Sequence, residues 1–271
     1  MKKIILVLFL AFFITSCEDV VQVDLKTQSP KLVIAAAINW YKGTTGNEQS
    51  IKLSTTANYY DNTIPVVSGA VIYVTNSAKK RYNFLEIPST GEYVCRDFEP
   101  VIDETYTLTI KEGNNVYSAS EILKSIAPIT KLIQNNNGGI TKDKIEVKAY
   151  FNDPPDQTNY YCYNYNYSNK VTGNYASEED RFFNGNEFFS VSYNDDLKPG
   201  DQVEVRHVGI SQNYFNYLAV LISLAGDSGR LPFQTPPVTI RGNILNLTNN
   251  DNYPLGYFSL SEVDSKKYTI K

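Results

Sequence analysis

TYTLTIKEGNNVYSASE, residues 105–121, decides the fold class. Tyr106, Leu108 and Ile110 alternate with Thr105, Thr107 and Thr109, the period of a strand with one apolar face. Glu112-Gly113-Asn114-Asn115 follows. Gly and Asn accept positive φ, so the chain reverses here and Val116–Glu121 returns as the partner strand. A lone hairpin is marginal in water, so this one requires further strands around it.

Such strands are readable on the N-terminal side. Leu32–Asn39, Ser50–Thr55, Ala70–Thr75, Arg81–Leu85 and Glu92–Arg96 are short, β-branched or aromatic, and bounded by turn residues. With Thr105–Lys111 and Val116–Glu121 they make seven strands, the pattern of an immunoglobulin-like β-sandwich over residues 31–128. Tyr93 and Tyr106 are expected in its core. Pro128 reads as a domain link.

Residues 129–271 read as a second β-rich domain with one amphipathic helix. Lys144–Phe151 and Asn159–Tyr167 flank Asn152-Asp153-Pro154-Pro155-Asp156, where two prolines cannot donate to a ladder and the chain must loop. Ser168–Asn186 has no periodicity and reads as a long surface loop. Glu187–Tyr193 and Gln202–Val208 are strands around the turn Lys198-Pro199-Gly200-Asp201. Tyr214, Leu218, Leu221, Ile222 and Ala225 fall on one helical face, with Ser211 placed to cap the start and Gly226 the end. Short strands are expected around Val238–Ile240, Tyr257–Leu260 and Tyr268–Lys271. The fold class is therefore mainly β.

The N-terminus carries a different message. Lys2 and Lys3 precede Ile4–Phe13, an uncharged apolar run, and Ile14-Thr15-Ser16-Cys17 follows. A basic start, a short apolar stretch and small residues before a cleavage point are features of a secretory signal. The run is about half the roughly 20 residues that span a bilayer. A Cys directly after a small residue resembles the lipobox of bacterial lipoproteins, in which the thiol carries diacylglycerol. Residues 1–16 are thus expected to be a removed signal, Cys17 the lipidation site, and residues 17–30 a tether. Glu18 and Asp19 resemble the surface-export signals of Bacteroidota lipoproteins; otherwise they are simply a solvated acidic tether.

The net charge is −4, and the signal's two lysines take the mature chain further negative. Nucleic acid is excluded as a partner, since it requires a basic footprint. Besides Cys17 there remain Cys95 and Cys162, expected as free thiols, buried or half-buried, although export would permit a disulfide. His207 is the sole histidine. With no C-x-x-C, a zinc site is discounted, and no metal or cofactor is expected.

Three features invite a functional reading. Gly226-Asp227-Ser228-Gly229 matches the nucleophile segment of chymotrypsin-like serine proteases, but that chemistry needs a His base and a buried Asp. His207 stands only 21 residues earlier without that family's histidine motif, and Arg230 replaces the expected second Gly. A helix cap and turn account for the segment, so no catalytic residue is assigned. The acidic groups Asp153 with Asp156, Glu178-Glu179-Asp180, and Asp195-Asp196 lack the ladder of oxygens around a central Gly that calcium needs; turns and solvated loops account for them. Finally, Tyr161, Tyr163, Tyr165 and Tyr167 alternate with Cys162, Asn164 and Asn166, which puts four tyrosines on one face of a strand. That face either stacks on a ligand or packs under a second layer; in the second case the Asn face is the solvent side.

Taken in order, several segments resemble a known family. They are Cys17 with its acidic tether, Pro30-Lys31-Leu32-Val33-Ile34, Phe151-Asn152-Asp153-Pro154 with Asn159-Tyr160-Tyr161, Lys198-Pro199-Gly200-Asp201 before a strand and a Tyr-bearing helix, and Tyr253-Pro254-Leu255-Gly256-Tyr257-Phe258. Together they resemble the Bacteroidota lipoproteins of domain-of-unknown-function family 4249. The resemblance implies an outer-membrane lipoprotein, commonly encoded beside a TonB-dependent receptor, and supplies no catalytic residues. The leading expectation is a non-catalytic accessory or ligand-capture subunit of a TonB-dependent transporter, held at the outer membrane and facing the cell surface. A structural or adhesive envelope protein comes second and a hydrolase last.

Overall fold

The computed structural model describes residues 29–58, 61, 63–225 and 240–271. Alternation of apolar and polar residues builds its first half. β1 (Leu32–Tyr41), β2 (Gln49–Thr55), β3 (Val71–Asn76), β4 (Arg81–Ile87), β5 (Glu92–Cys95), β6 (Thr105–Glu112) and β7 (Asn115–Ile122) match the seven strands expected there. Ile34, Ile38, Ile51, Leu53, Val74, Tyr93, Tyr106, Leu108 and Ile110 point inward and are fully buried. The hairpin turns at Gly113, which takes φ 53°.

β4 is the corner of this half. Arg81–Phe84 pair with β3, whereas Leu85–Ile87 pair with β5. One strand therefore belongs to two sheets, which fold over each other as a sandwich. Tyr106 fixes a second corner. Its hydroxyl donates to the Glu99 carbonyl at 2.7 Å and accepts from the Val101 amide at 2.9 Å. Tyrosine corners of this kind mark immunoglobulin-like sandwiches, and the chain has that mainly β architecture.

The second half contains β8 (Ile129–Gly138), β9 (Lys144–Asn152), β10 (Tyr160–Tyr167), β11 (Asn174–Glu179), a 3-10 turn (Asp180–Phe182), β12 (Glu187–Asn194), β13 (Gln202–Ile210), α1 (Gln212–Ala225), β14 (Leu245–Asn246) and β15 (Leu255–Thr269). The Ser168–Asn186 loop expected from the sequence is in fact interrupted by β11 and the 3-10 turn. Two short C-terminal strands expected at Tyr257–Leu260 and Tyr268–Lys271 are one strand of 15 residues. The strand expected around Val238–Ile240 falls almost wholly outside the described residues, as do Cys17 and Ser228.

β15 ties the halves together. Its first part runs parallel to β1, from Val33↔Leu255 to Tyr41↔Val263. Its second part runs antiparallel to β13, from Val208↔Val263 to Gln202↔Thr269. A continuous sheet of 12 strands results, ordered β11-β10-β13-β15-β1-β2-β5-β4-β3-β6-β7-β14, with β12-β9-β8 as a separate three-stranded sheet. Residues 31–128 do not close the sandwich alone: Ile244, Phe258 and Leu260 complete its core. A second core lies between the three-stranded sheet and β10 and β13, where Val147, Ala149 and Phe151 meet the tyrosines of β10 and Val203 and Val205. The Pro128 segment is stitched to β15 as well. Glu262 accepts from the Ile126 amide at 2.9 Å and Asp264 from the Ile129 amide at 2.6 Å.

Candidate functional site

Because side chains alternate along a strand, β10 has two faces and both are covered. Its tyrosine face looks toward the three-stranded sheet. The opposite face, with Cys162, Asn164 and Asn166, lies under α1. The helix starts where the sequence indicates: the Tyr214 amide donates to Ser211 Oγ at 3.2 Å and the Phe215 amide to the Ser211 carbonyl at 2.9 Å. Leu218 seats it against Cys162 and Ile210, with Tyr214, Phe215, Tyr217 and Ile222 flanking. Phe215 packs on Tyr160 at 5.2 Å and Tyr214 on Tyr257 at 4.6 Å. Leu221, expected on the buried face, is 40% exposed.

The helix does not cover the whole face. Beside Tyr214 it leaves a cleft of about 200 Å³ floored by four adjacent strands. β1 contributes Asn39 and Tyr41, β15 Ser259 and Ser261, β13 Arg206, and β10 Asn164; Tyr175 of the edge strand β11 forms a wall. Ala37, Cys162, Val208 and Val263 also line the cleft, so the floor mixes apolar and polar groups, and several of the polar ones are buried. Asn164 is 5% exposed, Ser259 3% and Ser261 1%.

Two donors in this floor have no partner: Asn164 Nδ2 and Arg206 Nε, both shut off from solvent. They belong to directly opposed residues, since Asn164 pairs with Arg206 across β10 and β13. Asn164 Oδ1 accepts from Asn166 Nδ2 at 2.6 Å, and Arg206 Nη2 donates to Glu204 at 2.8 Å in an ion pair partly open to solvent. Burial pushes the Tyr214 phenol up to about 12, with a hydrogen bond from Ser259 working against it. An unpartnered buried donor costs about 1–3 kcal/mol.

The family model for the domain of unknown function DUF4249 matches residues 18–267. The chain belongs to this family. No curated protein sequence matches it. Among solved structures, the DUF4249 chain is similar to a two fibronectin type III domain segment of chicken tenascin, at 12% identity and TM-score 0.22, over 67% of this chain and 91% of that one. A DUF4785 family protein of Legionella pneumophila aligns at 7% identity and TM-score 0.28, over 68% of this chain and 54% of that one. A cytokine receptor complex aligns at 9% identity and TM-score 0.24, over 66% and 83% respectively.

The DUF4249 chain places the sequence-derived candidates as follows. Tyr161, Tyr163, Tyr165 and Tyr167 are all buried, so the reading of that face as a ligand surface is corrected: it is core. Phe151 meets Tyr161 edge-on at 5.1 Å. Tyr161 donates to Asp153, Tyr165 shares a hydrogen bond with Ser190 at 2.7 Å, and Tyr167 donates to Ser192 at 2.6 Å. Asn164 and Asn166, expected to face solvent in that case, instead lie in and beside the cleft. Asp153 also accepts from the Gly185 amide at 2.8 Å, and Asp180 accepts from the Asn159 amide at 2.7 Å. Both carboxylates thus tie loops to the core. Asp195 pairs with Lys144 at 2.8 Å. Among the described residues no group of three or more His, Cys, Asp or Glu is placed to hold a metal. Cys95 and Cys162 are free and buried, and burial pushes their thiols up to about 11 and about 12.

His207 is 1% exposed. It is enclosed by Phe151, Tyr161 and Tyr163 at 4.3, 5.0 and 5.1 Å. Burial pulls its imidazole from 6.5 down to about 3; the Ala127 backbone opposes this slightly, yet neither ring nitrogen has a partner at hydrogen-bond geometry. In the unfolded chain the imidazole takes a proton below pH 6.5, whereas in the folded one it does so only near pH 3. Stability is therefore full above pH 6.5 and falls by about 1.4 kcal/mol per unit as the pH drops toward 3. Urea denaturation should show this loss as about 2 kcal/mol between pH 7 and pH 5 in the natural chain beyond that of His207→Phe. An equal loss in both would refute the assignment to His207.

Sequence reasoning missed Arg206 and Asn164 as site residues. The alternation of β10 did place Asn164 away from the tyrosines. What could have flagged it is the helix: its apolar face needed a sheet surface, and this was the one left over.

Proposed function

We propose that this DUF4249 chain is a lipid-anchored, non-catalytic outer-membrane protein, exposed at the cell surface, that captures a ligand in the cleft beside α1 for a TonB-dependent transporter. The observation that carries the capture role is the cleft of about 200 Å³ on the sheet face beside α1, where Asn39, Ser259, Ser261 and Tyr175 line a space that also has Val208 and Val263 in its wall. A floor built only for packing would be cheaper with apolar groups there. The apolar run Ile4–Phe13, followed by Ile14-Thr15-Ser16-Cys17, supports the anchor. No helix among the described residues is long and apolar enough to cross a membrane. The enclosure of His207 among aromatic rings supports a non-catalytic role.

The test is purification from membranes in mild detergent. The chain is expected to come out with a β-barrel protein in defined stoichiometry. Its recovery alone under gentle conditions would refute the transporter role.

A second reading, an adhesive envelope protein, draws on the outer face of the three-stranded sheet. Ile133, Val191 and Tyr193 are exposed there. Lys131, Lys148 and Lys144 lie over Tyr150, Phe189 and Tyr193 at 4.5, 4.7 and 5.0 Å. Under this reading, deletion costs the cell attachment or envelope integrity and leaves nutrient uptake unchanged.

A further inference from the structure

We propose that β12 accepts an extended peptide segment of a partner protein as a fourth strand of the three-stranded sheet, paired main chain to main chain along Glu187–Val191, with a basic side chain set over Glu178. The inference goes beyond the cleft reading above and does not depend on it.

Among the described residues the two sheets end in β11 and β14 on the large one and in β8 and β12 on the small one. An open edge recruits other strands unless it is short, charged, bulged or covered. β14 is guarded by its length of two residues. β8 carries register shifts at Ile129/Lys131 and Asn135/Gly138. β11 ends in Glu178-Glu179 and packs against α1. β12 has none of these devices. It pairs with β9 without a shift, from Glu187↔Asn152 to Asn194↔Ile145, and Phe188–Asn194 contains neither charge nor proline.

Its outward main-chain groups can be located. Along a strand, successive residues turn their N–H and C=O to opposite sides. The Asn186 carbonyl accepts from the Asp153 amide at 3.0 Å, on the β9 side. The Tyr193 carbonyl instead accepts from Asn174 Nδ2 at 3.4 Å, away from β9. The even-numbered residues therefore serve the β9 ladder, and Glu187, Phe189 and Val191 aim their main-chain groups off the sheet. Asn174 closes the far end, so the open stretch is Glu187–Val191.

The layer beneath extends past this edge. On β11, Asn174, Ala176 and Glu178 share the face of the β10 tyrosines, since they pair with Tyr165, Tyr163 and Tyr161. Those tyrosines are buried under the three-stranded sheet, whereas the three β11 residues are exposed. β11 is thus a ledge projecting below the β12 edge. Stacked sheets lie about 10 Å apart, so a strand added beside β12 would rest on this ledge as β12 rests on β10.

The ledge also selects the occupant. A second copy of this chain, pairing β12 to β12, would drive its own β10 and β11 into the space the ledge fills. A single extended segment brings no second layer and fits. Glu178 adds a charge preference. Partial burial pushes its carboxyl up, and neither a cation nor a hydrogen-bond donor offsets this. A Lys or Arg on the inward side of the segment supplies the missing charge. On the outward side Val191 and Tyr193 are exposed, and β-branched or aromatic residues beside them gain cross-strand contacts. Main-chain bonds for affinity and alternate side chains for selection are the features of strand addition.

The full mature chain, held in detergent micelles, is tested against an array of short peptides. These carry Val, Ile or Tyr at alternate positions and Ser, Thr, Lys or Glu between them. The strongest binder is then measured by fluorescence anisotropy. Binding is expected, with Lys favoured over Glu at an inward position, and Glu178→Gln should abolish that preference. Val191→Pro removes one outward N–H and is expected to weaken binding by about tenfold or more, whereas Val191→Thr keeps the N–H and should change it by less than about threefold. Amide exchange followed by NMR should show Phe189 and Val191 becoming protected in the natural chain when peptide binds. That readout keeps the test decisive if circular dichroism shows Val191→Pro to be unfolded. No binding by any peptide, binding without protection of those two amides, or equal binding by folded Val191→Pro would each overturn the proposal. Binding without a preference for Lys would overturn the role of Glu178. Dimerisation of the natural chain that Val191→Pro abolishes would give the edge to a second copy and overturn the peptide assignment.

Discussion

Gly256→Val is expected to leave the chain unfolded or severely destabilised, because Gly256 sits where β15 meets β1. Its φ is 105°, a region that side chains rarely enter. It pairs in register with Ile34, and a Cβ at Gly256 would run into the Ile34 carbonyl. Backbone cannot swing aside as a side-chain tip can, so the two strands would have to separate. With them would go the placement of Phe258 and Leu260 in the first core. Strain and clash together should cost about 4 kcal/mol or more, among the largest single-residue effects. For a chain of this size that is a fall of about 10 °C or more in Tm. Gly200→Ala is the control: its φ of 97° makes a similar demand, but open space surrounds it. Thermal melts followed by circular dichroism should show a modest shift for Gly200→Ala and a large one for Gly256→Val. Similar small shifts in both would refute the view that the β1–β15 junction governs stability.

Cys17→Ser is expected to have an all-or-none effect on location. The thiol at position 17 is the proposed acyl carrier, and serine supplies no sulfur for the thioether. Each buried methylene of an acyl chain contributes about 0.8 kcal/mol to membrane binding, so losing the chains removes the anchor outright. Growth with a radiolabelled fatty acid should mark the natural protein and leave Cys17→Ser unmarked. The variant should also shift from the membrane to the soluble fraction. A natural protein without label, or still carrying residues 1–16 after purification, would refute the anchor.

The first half of the fold was legible because its strands show one face to a core and one outward. Tyr106, Leu108 and Ile110 announce themselves by period alone. β8 was not legible, since ITKLIQNNNG packs only through a few positions and ends in polar residues. β11 is an edge strand with a polar exterior, so its sequence reads as loop. β15 was split because SEVDSKK looks solvated. In the structure Glu262 and Asp264 are instead occupied by the Ile126 and Ile129 amides, and Ser261 is buried. Alternation predicts a strand but not its neighbour, so nothing in residues 31–41 announced a partner beyond residue 254. The site suffered from the same blindness. The two faces of β10 were readable, but which of them met a helix, and where that helix stopped, depends on contacts distant in sequence.

That distant partnership has a consequence for the proposed export. On that route the chain emerges in order, and β1 waits for β15 before either side of the seam is covered. Until then Leu32–Tyr41 has an open edge toward its parallel neighbour, and such edges recruit other strands. Parallel closure over so long a loop is slow. On the proposed route β1 is therefore the segment left longest unprotected, and β15 is the latch that closes it.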